Sequence, residues 1–322
     1  MDEVLIGTLI ASTLRVSTPL ILCALAATLS ERAGVIDLGL EGKMLLSAFA
    51  AASTASLTGS LPLALLIAAL VGIALSMVQG FGCVSHGGDQ VVMGMAITMT
   101  AAGLTVVLGI AWFKLGGQTP ALSDAVRLSP WFTGAAESIQ SVPWIGPVIG
   151  LGLLGHYWVV YAALLLVGVV WWILFRTSFG LRLRATGENP AMVDAAGLSV
   201  AGLRYSALAL NGVLCGLAGS YLVLAQNPSF VPNMTAGRGY MALAAMIFGK
   251  WRPVGALWAC LLFGFLDAAA IRLQGVSLPG IGDVPVQAIQ ALPYVMTVVL
   301  LAGFIGKSRA PAALGTPYLK ER

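Results

Sequence analysis

Six charged residues fall within or beside long apolar runs: Arg15, Glu31, Asp37, Glu41, Asp267 and Arg272. An ionisable group at membrane depth is costly and faces a partner or a cavity, so such positions could contact a polar solute or fasten one helix to another. Asp37 and Glu41 sit among the glycines of DLGLEGK, where a helix would be interrupted; Glu41 suits orienting that interruption better than touching a solute. Asp267 is placed for an internal hydrogen bond or for pairing with Arg272, which near a helix end can snorkel. Glu31, Arg32 and Lys43 fit the headgroup level as well as a buried role. Asn211, in LALNGVLCGLAGS, and the amides Gln79, Gln90 and Asn227 offer the hydrogen bonds a sugar or nucleoside needs, but Gly212, Gly216 and Gly219 make close helix packing the stronger reading of the Asn211 region. Covalent chemistry has no support. His86, in the turn SHGGD, and His156 lack a second ligand at metal spacing, and no Ser/His/Asp order or paired acids stand out. The four cysteines, Cys23, Cys83, Cys215 and Cys260, are scattered through apolar stretches as reduced packing residues. No GxxxxGK[ST] occurs, so the chain lacks a cradle for ATP phosphates and any energy must come from elsewhere.

The elements that would position these residues are membrane spans. Of the residues, 58% are hydrophobic and 9% charged, with a mean hydropathy of +0.92, whereas a soluble domain has about 25% charged residues. At about 20 residues per crossing the length allows about eight to ten helices in a single transmembrane domain over 1–322. Apolar runs occur at 4–29, 44–58, 61–84, 90–113, 157–175, 203–226, 239–249, 254–271 and 285–305. All should be helical, because a backbone in hydrocarbon must satisfy its own hydrogen bonds; the fold class is all-α and polytopic. Runs 44–58 and 239–249 are short and follow the polar stretches 31–43 and 227–238, as broken or re-entrant helices would. Each is followed by a proline, Pro62 or Pro253, and the two stand in opposite orientation, the pattern of an inverted repeat.

If spans alternate, Arg176, Arg182, Arg184, Arg204, Lys250, Arg252, Lys307, Arg309, Lys320 and Arg322 share one side. With Arg32 and Lys43 these are 12 of the 17 basic residues. By the positive-inside rule that side, and the C-terminus with it, is cytoplasmic. The net charge of +4 is accounted for in this way, without a nucleic-acid partner. Segment 114–156, with Pro120, Pro130, Pro143, Pro147, Trp131 and Trp144, then forms an extracytoplasmic interfacial cap. Met1-Asp2-Glu3 is the wrong sign for a signal peptide, so the first run is read as retained.

Between two spans lies FGLRLRATGENPAMVDAAGLSV, at 179–200, too polar to cross a bilayer. GENP supplies a turn with helix-start chemistry, and Ala191, Met192, Ala195 and Ala196 form a small apolar face closed by Gly197. Read alone, the stretch is either a connecting loop or a helix that docks in a partner's groove.

The stretch GLRLRATGENPAMVDAAGL resembles the coupling segment of permease subunits of ATP-binding-cassette (ABC) importers of the branched-chain amino acid and simple-sugar class. LSERAGVIDLGLEGKMLL, at 29–46, resembles the corresponding motif of the nucleoside-importing branch, and MALAAMIFGKWRPVG, ending at Gly255, a second block of the class. Asp37 departs from that pattern, which often carries Asn. The resemblance implies half of a pore in a bacterial inner membrane, working by alternating access with a second, similar but distinct permease. Two cytoplasmic ATPase domains would carry ATP and Mg, and an extracytoplasmic binding protein would deliver a nucleoside. Coupling would fall to 179–198, through Arg184, Gly187, Glu188, Asn189, Ala191, Ala195, Ala196 and Gly197, and the solute path to Asp37, Glu41, Asn211, Asn227 and Asp267. A ribose-like sugar is the nearest alternative cargo; broken helices with buried acids also suit an ion-coupled carrier.

Overall fold

The computed structural model describes residues 2–140, 146–273, 277–278, 282–283, 291, 295 and 309–318. Apolar runs became helices, as hydrocarbon requires. They are α1 (Asp2–Arg32), α2 (Leu40–Thr58), α3 (Leu61–Gly80), α4 (Gln90–Phe113), α5 (Thr133–Gln140), α6 (Gly146–Gly152), α7 (Trp158–Arg176), α8 (Ser178–Glu188), α9 (Pro190–Ala195), α10 (Val200–Tyr221), α11 (Arg238–Phe248) and α12 (Pro253–Leu273). Helices α3 and α10 each run on into a single π-helical turn, Phe81–Ser85 and Leu222–Gln226. Among the described residues the only strands are Ser277–Leu278 and Gly282–Asp283, a two-residue antiparallel pair.

Among the described residues six helices are long and apolar enough to cross a membrane: those of α1, α3, α4, α7, α10 and α12, with α3 and α10 counted through their π turns. The chain is an all-α, multi-pass membrane protein. The expected run at 285–305 lies outside the described residues. Helix α11 is short, as its run implied, but α2 is not: Leu40–Lys43 are helical too, which gives α2 19 residues and a length of about 28 Å. Polar Glu41 and Lys43 hid this first turn, and the break expected over 31–43 is confined to 33–39.

Helix α10 packs along α3, α1 and α2 at the centre. Small residues allow the approach. A Cβ at Gly72 would strike the carbonyl oxygen of Gly212, one at Gly216 the carbonyl of Ala68, and one at Gly219 that of Met44. Glycines at such crossings let dispersion contacts form between backbones, the main attraction left once lipid removes the hydrophobic driving force. Over the cap end, 114–157 carries a 3₁₀ turn at Asp124–Val126 and the short helices α5 and α6; Pro143 and Trp144 lie outside the described residues. His156 is buried there, its Nε2 2.9 Å from the Gly152 carbonyl, and burial pushes its pKa down, favouring the neutral ring.

Replacing Gly212 with Val should therefore separate α3 from α10 and lower the thermal midpoint of the detergent-solubilised chain, at a cost of about 3 kcal/mol. The matched change Gly103→Val on α4, where an added Cβ meets nothing within 4 Å, should leave the midpoint within about 1 °C of the parent.

Candidate functional site

Where α1 ends at Arg32, the chain turns back into the bundle as non-helical backbone before α2 begins, and its peptide groups find specific partners. The Ile36 N–H donates to Gln90 Oε1 at 2.6 Å, and Gln79 Nε2 donates to the Ile36 carbonyl at 3.0 Å. Arg204 Nε donates to the Ala33 carbonyl at 3.3 Å. Asp37 Oδ1 accepts from the Gly39 N–H, and its Oδ2 lies 2.7 Å from Lys43 Nζ in an ion pair of which neither side chain is exposed. Lys43 also donates to Asn211 Oδ1 at 3.0 Å, Ser76 donates to the same oxygen, and Asn211 Nδ2 donates to Ser30 Oγ. Charges taken this far from water persist only when paired and hydrogen-bonded. Lys43 thus sits in the protein centre and not among headgroups, because the break folds Asp37 back over it. Glu31 is also buried, 4% exposed, its carboxylate accepting from Trp251 Nε1 at 2.6 Å.

A second break follows the π turn of α10. Asn227 Nδ2 donates to the Leu222 carbonyl within that turn, and the cap runs alongside: Leu122 N–H donates to the Pro228 carbonyl at 2.8 Å, and Thr119 and Phe230 bond each other. The two breaks enter from opposite ends. Helix α4 starts beside Ile36, and Gly117, just past its end, packs on Pro232. Helix α2 rises beside α4, with Gly42 against Thr98 and Phe49 stacked on Trp112 at 5.8 Å. Helix α11 descends the other way, to Trp251 beside the end of α1. The N-termini of α2 and α11 meet between them, where Glu41 accepts from the Gly237 N–H at 2.8 Å and the Gly239 N–H at 2.6 Å. The carboxylate satisfies donors that open the α11 helix and complements its dipole. Tyr240 is exposed beside this junction. Half-buried Asp267 of α12 lies within the field of Arg238; among the described residues it forms no ion pair with Arg272.

Against the first break lies the polar segment between α7 and α10. Gly187 and Glu188 are helical, and the turn is confined to Asn189, whose Oδ1 caps α9 by accepting from the Met192 N–H at 3.1 Å. A Cβ on Gly187 would collide with the Arg32 carbonyl oxygen, so α8 touches the break backbone to backbone. Residues 309–318 tie the pair together. Ala313 N–H donates to the Gly187 carbonyl at 2.8 Å, Gly315 N–H to the Gly34 carbonyl at 3.2 Å, Ala312 N–H to Glu188 Oε2, and Arg204 Nη2 to the Thr316 carbonyl. Tyr318 OH reaches Asp194 Oδ2 at 3.1 Å. On the outer side Ala191, Met192, Ala195, Ala196 and Gly197 are exposed, Met192 by 69%. Between α8 and α9 a groove of about 400 Å³ has apolar walls that include Leu181, Ala185, Met192, Val193 and Leu198, with Arg182, Glu188 and Asn189 also lining it. Arg184 stacks over Phe175, 4.9 Å from the ring centre.

Of the residues singled out from sequence, the structure gathers Asp37 and Asn211 into one closed network, sets Glu41 where the N-termini of α2 and α11 meet, brings Asp267 into the field of Arg238 at the start of α11, and leaves Asn227 apart, toward the cap. The sequence reading weighed Gln79 and Gln90 as solute-binding amides and Arg204 as a marker of the cytoplasmic side, not as clamps on backbone, and did not foresee the tail. Two prolines and a glycine in PAALGTPY, after the last expected span, were the available sign that the tail folds back.

A family model described as "Branched-chain amino acid transport system / permease component" matches residues 9–302. A nucleoside ABC transporter permease protein of Lactococcus lactis is 35% identical over 98% of this chain and 97% of its own. A guanosine ABC transporter permease protein of Bacillus subtilis is 35% identical over 99% of each. The ribose import permease protein of Escherichia coli K12 is 28% identical over 79% of this chain and 74% of its own.

Two consequences of the geometry can be measured. Lys43→Met strands a buried carboxylate and should cost about 3–5 kcal/mol in thermal stability, whereas Lys43→Met with Asp37→Asn, which leaves neither charge, should recover most of it. Truncation before Arg309 should speed amide exchange in 33–39 and 183–190 at least about tenfold without affecting 160–175, read by hydrogen-exchange mass spectrometry.

Proposed function

Because the chain belongs to the permease component family of branched-chain amino acid transport systems, we propose that it forms one half of a nucleoside path through an ABC importer. As a member of that family it is a transport subunit, not an enzyme, and works with a partner ATPase and a solute-binding protein. Membership also sets aside the ion-coupled carrier. The observation that carries the nucleoside reading is the full-length similarity, at 35% identity, to permeases named for nucleoside and guanosine transport. A ribose-like cargo is the second reading, favoured by the ribose permease similarity over four-fifths of this chain.

The mechanism follows from the contacts. In this reading the segment of α8 and α9 faces the cytoplasm and seats its exposed apolar face, from Ala191 to Ala196, in an ATPase. The capping Asn189 and the glycines at 187 and 197 fix its shape, Arg184 anchors it to α7, and Glu188 holds the tail. Displacement of α8 is delivered at Gly187 to the Arg32 carbonyl and so to the break at 33–39, with no flexible side chain between. Asp37, Lys43 and Asn211 make the break and α2 move as one piece, because separating a desolvated ion pair is expensive. Glu41 then carries the shift to the N-terminus of α11. The solute would pass where the half-helices meet, with Glu41, Tyr240 and Asp267 nearest and Asn227 toward the cap; Asp37 and Asn211 act from behind as positioning residues. A second, distinct permease would complete the path, and the binding protein would deliver solute at the cap end. ATP and Mg would stay on two ATPase domains, with both the coupling segment and the C-terminus on the cytoplasmic side of a bacterial plasma membrane.

Labelled guanosine, uridine and ribose offered to cells carrying this chain with its neighbours should give nucleoside accumulation. A Glu188→Ala/Asn189→Ala variant, present in the membrane at parental level, should lower it at least about tenfold by weakening α9 and the tail contact. Accumulation of ribose alone would replace the nucleoside with a sugar, and unchanged uptake in the variant would remove 187–189 from the mechanism.

A further inference from the structure

The turn between α11 and α12, FGKWRP, is held in an unusual shape. Lys250 and Trp251 both have left-handed backbone, with φ of 57° and 54°, a region that bulky side chains rarely adopt. The strain is held from below: Trp251 donates its indole N–H to Glu31 and accepts from Arg32 Nε at its carbonyl, 2.9 Å away. A strained turn fixed this firmly suggests that what it presents has a use. It presents Lys250 and Arg252, both exposed, at the mouth of a cavity of about 590 Å³ between the turn, the start of α12 and the end of α7.

Depth is legible from helix geometry. Trp171 lies five residues before Arg176, the last residue of α7, and Trp258 five after Pro253, the first of α12. At 1.5 Å per residue both indoles sit about 7–8 Å further into the bundle than the cations. Trp171, Trp258, Phe175 and Phe248 make the walls, and both tryptophans are exposed, Trp258 by 67%. Among the described residues no acid lines the cavity; Glu31, the carboxylate the turn touches, is buried beneath Trp251. Positive charge is concentrated around it. Arg176 lies over the Trp171 ring at 5.8 Å, and Arg32 stands in the field of both Arg184 and Arg252, opposed only by Glu188, which is engaged with the tail. The slot is thus cationic at the level where membrane helices end and aromatic just below it.

The geometry points to a binding site for one anionic glycerophospholipid, its phosphate between Lys250 and Arg252 and its glycerol and upper acyl carbons between Trp171 and Trp258. Charge complementarity selects the anionic headgroup over a zwitterionic one, and the aromatic walls select a lipid over a soluble phosphate, which would use only the mouth. An occupant here would bridge α7, α11 and α12 beside the segment that α8 begins.

The full-length chain, purified in neutral detergent and offered equimolar phosphatidylglycerol and phosphatidylcholine of matched acyl chains, should retain one phosphatidylglycerol preferentially in native mass spectrometry. Lys250→Asn/Arg252→Gln, with Asn chosen because it tolerates the left-handed backbone, should weaken that retention about thirty-fold. Phosphatidylglycerol brominated on its upper acyl carbons should quench indole fluorescence more than the phosphatidylcholine counterpart, and Trp258→Phe, a mild change in a folded chain, should remove part of the difference. Equal retention of the two lipids, a preference unchanged by the double variant, or quenching unaltered by Trp258→Phe would each overturn the site. So would a photocrosslinker at 258 that in native membranes captured a protein chain and no lipid.

Discussion

A chain that stops being helical inside an apolar bundle frees peptide groups that lipid cannot satisfy, and each unpaired one costs several kcal/mol. The structure around 33–39 is organised by that constraint. Gln79 at the end of α3, Gln90 at the start of α4 and Arg204 in the first turns of α10 all aim at the backbone of one seven-residue stretch. Their roles differ from those of polar residues on a pore wall, because they are spent on the chain itself. The ion pair of Asp37 with Lys43 extends the same economy: Asp37 caps the returning backbone through Gly39 and neutralises the lysine that anchors α2 to α10 through Asn211.

The second break meets the same constraint with other means. Its donors and acceptors are taken up by the cap, through Leu122 and Thr119, and by Glu41 reaching across from α2. Each interruption is therefore closed by one segment from outside the bundle, and the two are joined at a carboxylate inside it. A bundle built this way has two stiff helices, α2 and the shorter α11, running in opposite directions and few places to bend, which is the arrangement that rocking motions about a central site require.

Much of this was legible in the chain. Long runs without punctuation, such as VVMGMAITMTAAGLTVVLGIAWF, could only be helices in lipid, and α4, α7 and α12 begin and end within a residue or two of where hydropathy placed them. The polar segment at 179–198 was found because it interrupts that pattern. What hydropathy cannot report is partnership. Lys43 fitted the headgroup level as well as a buried role because its counter-charge, six residues earlier, comes into range only when the break folds back; Glu41 and Lys43 together made the first turn of α2 look like loop. Gln79 and Gln90 differ from solute-binding amides only in their targets, which are backbone atoms invisible in one dimension. Among the path candidates Asp37 and Asn211 are buried and spend their polar atoms on Lys43, a pairing hidden from the sequence for the same reason.

The segment that completes the first break, 309–318, is made after every helix it joins. Arg204 and the carbonyls of Gly34 and Gly187 enter the bundle long before Ala313, Gly315 and Thr316 exist to bond them. During synthesis the helices can insert and pack in order, but the corner joining α1, α8 and α10 stays unfinished until residues 309–318 have emerged and folded back. Closure of this corner thus reports that synthesis has passed 318, and a product cut short before 309 that inserts normally still lacks the piece that holds its two surface segments together.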